Sequence, residues 1–120
     1  VTRAGWFKAG CHLNAVGSST PAAREIDGAT IARARLFVDR REAALAESGD
    51  ILGALREQAI TPAHIAAELG EVLTGQQPGR RDNSEFTMYK ALGFAALDLA
   101  AAELALQRAA QLGRGTEVAW

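Results

Sequence analysis

Two short stretches carry residue types whose spacing suits ligand chemistry. The first, Gly17-Ser-Ser-Thr-Pro21, is small and hydroxyl-rich. Its backbone amides could approach a phosphate, a ribose or a nicotinamide amide, because glycine lets the chain come close without a side chain in the way. The same residues also fit an ordinary strand-to-helix turn with Ser or Thr capping. The second stretch is Lys90-Ala-Leu-Gly93. Lys90 could reach a carboxylate or phosphate, but a lysine at a strand end is expected to be solvated surface. Other candidates stand alone. His64 and Glu68 are four apart on a helix expected to start at Pro62, so they would face the same way and could pair. A metal would need more ligands, and His12 lies far off, so no metal is expected. Cys11 is expected to be a small buried hydrophobe. Asp98 falls among Phe94, Ala101, Ala105 and Leu112 on a long helix, opposite Glu103, Gln107 and Gln111. An acid on the apolar side needs a hydrogen-bond or cationic partner, so a buried tether is expected there.

The elements that must position these residues alternate between strand and helix. Cys11 to Val16 reads as a strand stopped by the polar turn at Gly17. Glu25 to Ala34 has a weak helical pattern, and Arg35-Leu-Phe-Val38 is a buried strand. Arg40 to Ser48 is a helix that Gly49 is placed to end, with a further turn or two around Ile51, Leu52 and Leu55. Thr61-Pro62 matches a helix start, with an apolar side continued by Leu69, Val72 and Leu73. Ser84 to Lys90 alternates as a third strand. A long helix from Leu92 to Leu112 follows, stopped by Gly113, and Thr116 to Trp120 reads as a last strand-like piece. The expected fold is α/β with a parallel sheet. Such sheets take ligands at the carboxyl ends of their strands, which singles out the turns after Val16 and Lys90.

Composition narrows the partners. The 120 residues are 48% hydrophobic, enough for a core in one small domain or part of a larger one. With 13 basic and 14 acidic side chains, nothing in the net charge of -1 calls for a nucleic acid. The apolar stretch Leu92 to Leu106 carries Asp98 and Glu103, so no membrane partner is expected. One cysteine allows no internal disulfide and no signal-type segment opens the chain, so a cytoplasmic location is expected. The first residue is Val1, which suggests a cut end.

The run Asn14-Ala-Val-Gly-Ser-Ser-Thr-Pro21, followed by Arg24-Glu-Ile-Asp27, resembles the ornithine cyclodeaminase/mu-crystallin family. Further similar segments follow in order: Phe37-Val-Asp39, Glu42-Ala-Ala44, Gly49-Asp-Ile51, Ala67-Glu-Leu-Gly-Glu-Val72, Pro78-Gly-Arg80 and Thr87-Met-Tyr-Lys-Ala-Leu-Gly93. The resemblance implies an NAD- or NADP-dependent oxidoreductase, longer than this chain and working as a homodimer on a small imino or amino acid. It implies the C-terminal half of a Rossmann-type NAD(P)-binding domain over residues 1–112. Residues 113–120 would then start the tail that returns to a substrate and dimerisation domain. The Gly-x-Gly-x-x-Gly/Ala fingerprint of such domains is absent from these 120 residues, so the sheet is expected to be incomplete and the fragment inactive alone.

The resemblance also carries roles onto matching positions. Ala15, Val16, Gly17 and Ser18 would run along the cofactor, largely through their backbone. Ser19 stands where ornithine cyclodeaminases and some alanine dehydrogenases have an aspartate acting on the substrate amine. A carboxylate can take a proton and stabilise an iminium, whereas a serine hydroxyl can only hydrogen-bond an imine or a water. Ser19 is therefore similar to the mu-crystallin branch, implying reduction of a cyclic imino acid (a ketimine). Ornithine cyclodeaminase or alanine dehydrogenase activity is the alternative, and a non-catalytic, crystallin-like nucleotide binder is another. Ala91 replaces the family's usual serine near the nicotinamide and would offer its backbone to the cofactor, while Leu92 would lie near the substrate.

Overall fold

Short apolar runs separated by helical segments are what a parallel sheet requires, because each crossover must carry the chain back along the sheet. The computed structural model describes residues 2–118. Four strands, β1 (His12–Ala15), β2 (Arg35–Val38), β3 (Ile65–Glu68) and β4 (Thr87–Lys90), form one parallel sheet in the order β1-β4-β2-β3. The α/β fold expected from the alternating pattern is therefore present. The helices are α1 (Gly28–Arg33), α2 (Arg41–Glu47), α3 (Gly49–Arg56), α4 (Leu69–Leu73) and α5 (Ala95–Leu112). The inner strands β2 and β4 bury nearly every residue, whereas the edge strand β1 leaves His12 and Asn14 exposed. The core joins Leu36, Val38, Ile65 and Met88 of the sheet to Ile31 of α1 and Ile51 and Ala54 of α3.

Local chemistry sets the helix ends. Asp27 caps α1 by accepting the Thr30 N–H at 2.8 Å, and the Ser48 side chain accepts from Ile51 N at the start of α3. The chain leaves α5 through Gly113, whose φ of 59° is the left-handed region that glycine favours. No residue of α5 is buried, and Leu99, Leu104, Leu106 and Leu112 are exposed. Among the described residues, no helix is long and apolar enough to cross a membrane.

The structure corrects several expectations. The helix expected from Pro62 is one 3-10 turn, Pro62–His64, followed by strand β3. Thr61-Pro62 does start a turn, but the open side of β2 captures Ile65–Glu68, whose alternating burial suits a strand. The strand ending at Lys90 is thus the fourth, and it starts at Thr87 because Asp82 ties the preceding residues into a turn through Ser84 and Glu85. Gly49 does not end α2. It opens α3, packed so closely that a β-carbon would strike the Thr20 and Ala23 carbonyls. The first helix begins at Gly28 and the last at Ala95, each three residues later than the periodicity predicts. Of the strand-like terminal piece, Thr116 to Val118 form no strand, and Ala119 and Trp120 lie outside the described residues.

Burial opposes ionisation of the Asp27 carboxyl, but hydrogen bonds from Thr30 outweigh it and hold the group below its ordinary 3.8. A lowered carboxyl pKa stabilises the fold above the unfolded value, and the contribution fades as pH falls through the folded one. Asp27→Ala should therefore cost about 1 kcal/mol at neutral pH. Urea denaturation of the intact protein should show that cost shrinking in acid. A cost that is constant across that range would mean the cap is not acting as a carboxylate.

Candidate functional site

β1 and β4 lie side by side with Ala15 opposite Lys90, so the turns that follow them leave the sheet together. The Ala91 N–H donates to the Ala15 carbonyl at 3.0 Å and joins the two turns. Ala15 and Ala91 therefore adjoin at one rim, at the carboxyl ends of neighbouring strands, with Val16, Gly17, Ser18 and Ser19 following in the first turn and Leu92 in the second. Ala15 is buried, Gly17, Ser18, Ala91 and Leu92 are half-buried, and Val16 and Ser19 are exposed. The Ser19 hydroxyl has no hydrogen-bond partner among the described residues. Ser18 has a φ of 55°, a left-handed conformation that costs a non-glycine residue of the order of 1 kcal/mol.

Beneath this rim lies the main correction to the sequence reading. Lys90 is not solvated surface; it is fully buried. Strand alternation puts it on the same side of β4 as Met88, toward the core, while Tyr89 takes the other side. Its ammonium donates to the Gly17 carbonyl and to Glu25 Oε1 at 3.1 Å, and lies 3.0 Å from Asp50 Oδ2 as an ion pair. Asp50 is also fully buried, and its Oδ1 accepts the Glu25 and Ile26 N–H groups at 2.8 and 2.9 Å. Glu25 in turn accepts the Gly17 N–H at 2.9 Å. A β-carbon at position 17 would meet that carboxylate, so a larger residue there would displace the Glu25 side chain from Gly17. The Ser18 carbonyl accepts the Gly49 N–H at 3.3 Å.

The second turn is held by another acid. Asp39, nearly buried just past β2, accepts the Leu92 and Gly93 N–H groups at 2.8 and 2.9 Å through one oxygen. Its other oxygen accepts from Arg40 N at 2.9 Å. Gly93 takes a φ of 94°, so the chain turns sharply under this grip. Burial, with a further push from the Asp39 charge, raises the pKa of the nearby Tyr89 phenol, which stays protonated at neutral pH.

Lys90, Glu25, Asp50 and Asp39 are the residues that sequence reasoning missed as supports of the site. The acids stand within segments of family resemblance, and a lysine inside an apolar alternation was the available signal. The remaining candidates fall elsewhere. His64 and Glu68 do not pair, since the extended strand β3, which ends at Glu68, replaces the helix that would have put them on one face. His64 Nε2 instead lies 2.9 and 3.0 Å from the Ile31 and Ala34 carbonyls, and Glu68 accepts from Arg41 N at 2.8 Å. Cys11 packs half-buried against the core. Asp98 is exposed rather than buried, because α5 stands clear of the core. A cavity of about 670 Å³ lined by Arg33, Arg35, His64 and Arg81 lies away from both turns, and its arginines already donate to backbone carbonyls or to Glu85.

Comparison with known proteins gives this geometry a context. The model of the ornithine cyclodeaminase/mu-crystallin family matches residues 1–112. The ketimine reductase mu-crystallin of Mus musculus is 48% identical over 99 residues, covering 82% of this chain and 29% of that protein. The structure of Thermococcus litoralis Delta(1)-pyrroline-2-carboxylate reductase in complex with NADH and L-proline is 42% identical. It superposes with a TM-score of 0.85, over 98% of this chain and 36% of its own. An archaeal alanine dehydrogenase dimer with bound NAD is 30% identical with a TM-score of 0.79, over 100% and 37%. The chain thus spans about a third of the length of these relatives.

The rim should respond to changes beneath it. Asp39→Ala would leave the Leu92 and Gly93 amides without their acceptor, at a cost of about 2–3 kcal/mol in denaturant unfolding of the intact protein. Ser18→Gly should be neutral or slightly stabilising and Ser18→Val should cost about 1–3 kcal/mol. Equal stability of these two variants would contradict the left-handed turn.

Proposed function

The chain belongs to the ornithine cyclodeaminase/mu-crystallin family, and from that premise we propose that the protein containing it is an NAD(P)-dependent reductase of a cyclic imino acid. The observation that carries the choice of reaction is Ser19. It stands exposed on the rim, with a free hydroxyl where a carboxylate would serve deamination. Reduction of a carbon–nitrogen double bond needs a hydride at carbon and a proton at nitrogen. When bound, the nicotinamide supplies the hydride. Ser19 then holds the imine nitrogen, or the water that brings its proton, by a hydrogen bond.

The rim has what a nicotinamide nucleotide requires. Its turns sit at strand carboxyl ends, where parallel sheets take their ligands. Ala15, Val16, Gly17, Ser18 and Ala91 would hold the cofactor, largely through main-chain groups, and Leu92 would pack against the imino acid. Residues 1–112 would be the later half of the nucleotide domain, and 113–120 the start of a tail toward a substrate and dimerisation domain. The bound NADH and L-proline of the Thermococcus litoralis relative support both ligand classes, and the alanine dehydrogenase dimer supports a homodimer.

The intact protein should consume reduced nicotinamide, followed by its absorbance, with pyrroline- or piperideine-carboxylate. Ser19→Ala should lower kcat/KM about tenfold, the worth of one hydrogen bond in the transition state. Turnover of ornithine with release of ammonia would overturn the assignment. Cofactor binding without turnover of any imino acid would favour a non-catalytic nucleotide binder.

A further inference from the structure

The ammonium of Lys90 is directed at a backbone oxygen, and its consequence lies on the far side of that peptide. The Gly17–Ser18 peptide is trans, so its carbonyl and its N–H point in opposite directions. Lys90 takes the carbonyl end inward, onto an ammonium that is itself fixed by Asp50 and Glu25. The Ser18 N–H therefore points out of the buried network, and no acceptor among the described residues takes it. Neighbouring bonds fix the plane from both sides. The Gly17 N–H is held by Glu25 and the Ser18 carbonyl by Gly49, which keeps Ser18 left-handed. A cation on the carbonyl oxygen also draws electron density from the amide and makes its N–H a stronger donor.

We infer that Lys90 is a positioning residue that acts through the Gly17–Ser18 peptide and presents the Ser18 amide to an acceptor oxygen of the bound ligand. The ligand chemistry is a carbonyl or carboxylate oxygen, supplied either by the carboxamide of a nicotinamide or by the carboxylate of an imino acid. The inference rests on the proposed reading of the rim as a nicotinamide and imino-acid site. The donor is preorganised, because no side chain has to be ordered when the ligand arrives.

Removing Lys90 alone strands two carboxylates, so Lys90→Met could fail to fold for charge reasons. The double variant Lys90→Met/Asp50→Asn removes one charge of each sign and is the better probe. In the intact protein it should melt close to the parent but bind about 10- to 100-fold more weakly, the loss expected for one charge-assisted donor. The dissociation constant of reduced nicotinamide nucleotide rises if the acceptor is the carboxamide. The KM for pyrroline-carboxylate rises, at unchanged cofactor affinity, if it is the carboxylate. A second measurement needs neither variant nor turnover. In the ¹⁵N-labelled parent protein, the Ser18 amide proton should move downfield on adding reduced nicotinamide nucleotide or L-proline. A Ser18 resonance that stays in place while other amides shift with the bound ligand overturns the inference, as does a folded double variant that binds both like the parent. A spectrum that no ligand moves at all overturns the reading of the rim itself. Because the resonance is read without catalysis, a protein that reduces no imine still tests it.

Discussion

A fully buried ammonium has to find its counter-charges, and the shape of this rim follows from where Lys90 finds them. Removing a cation from water costs several kcal/mol even after relaxation, so a buried lysine survives only with good geometry around it. Here the partners come from three separated pieces of chain: Asp50 on α3, Glu25 before α1 and the Gly17 carbonyl after β1. Once those contacts form, the first turn has little freedom. Its glycine is pinned at both N–H and carbonyl, and the left-handed Ser18 follows from the grip on either side.

The same device recurs under the second turn in a simpler form. Asp39 needs no cation; it satisfies its oxygens with three backbone N–H groups. The structure therefore spends its buried acids on shaping backbone and leaves the hydroxyl of Ser19 unspent. The buried charges of Lys90, Asp50 and Asp39 thus lie below the two turns, and the hydroxyl of Ser19 lies exposed above them.

Much of this was legible in the sequence, and the failures share a cause. β2 was expected over the residues it occupies, and the strand-to-turn boundary after Ala15 was foreseen to within a residue, because alternation and turn chemistry are local signals. β3 was not, since Ile65-Ala-Ala-Glu68 is a strand only through its pairing with β2. Gly49 looked like a helix stop because sequence cannot show the carbonyls packed against it. Lys90 was misplaced for the same reason. Its burial depends on Asp50, forty positions away, and no local pattern announces that partnership. Asp98 failed in the other direction, since helical periodicity assigns a face without showing whether anything covers it.

Both turns are held from below, and amide hydrogen exchange in the intact protein reads that directly. The Gly17, Leu92 and Gly93 amides are accepted by Glu25 and Asp39, so they should exchange slowly, with protection approaching that of the sheet amides. Exchange of these three amides at the rate of exposed loops would contradict the hold of Glu25 and Asp39 on the rim.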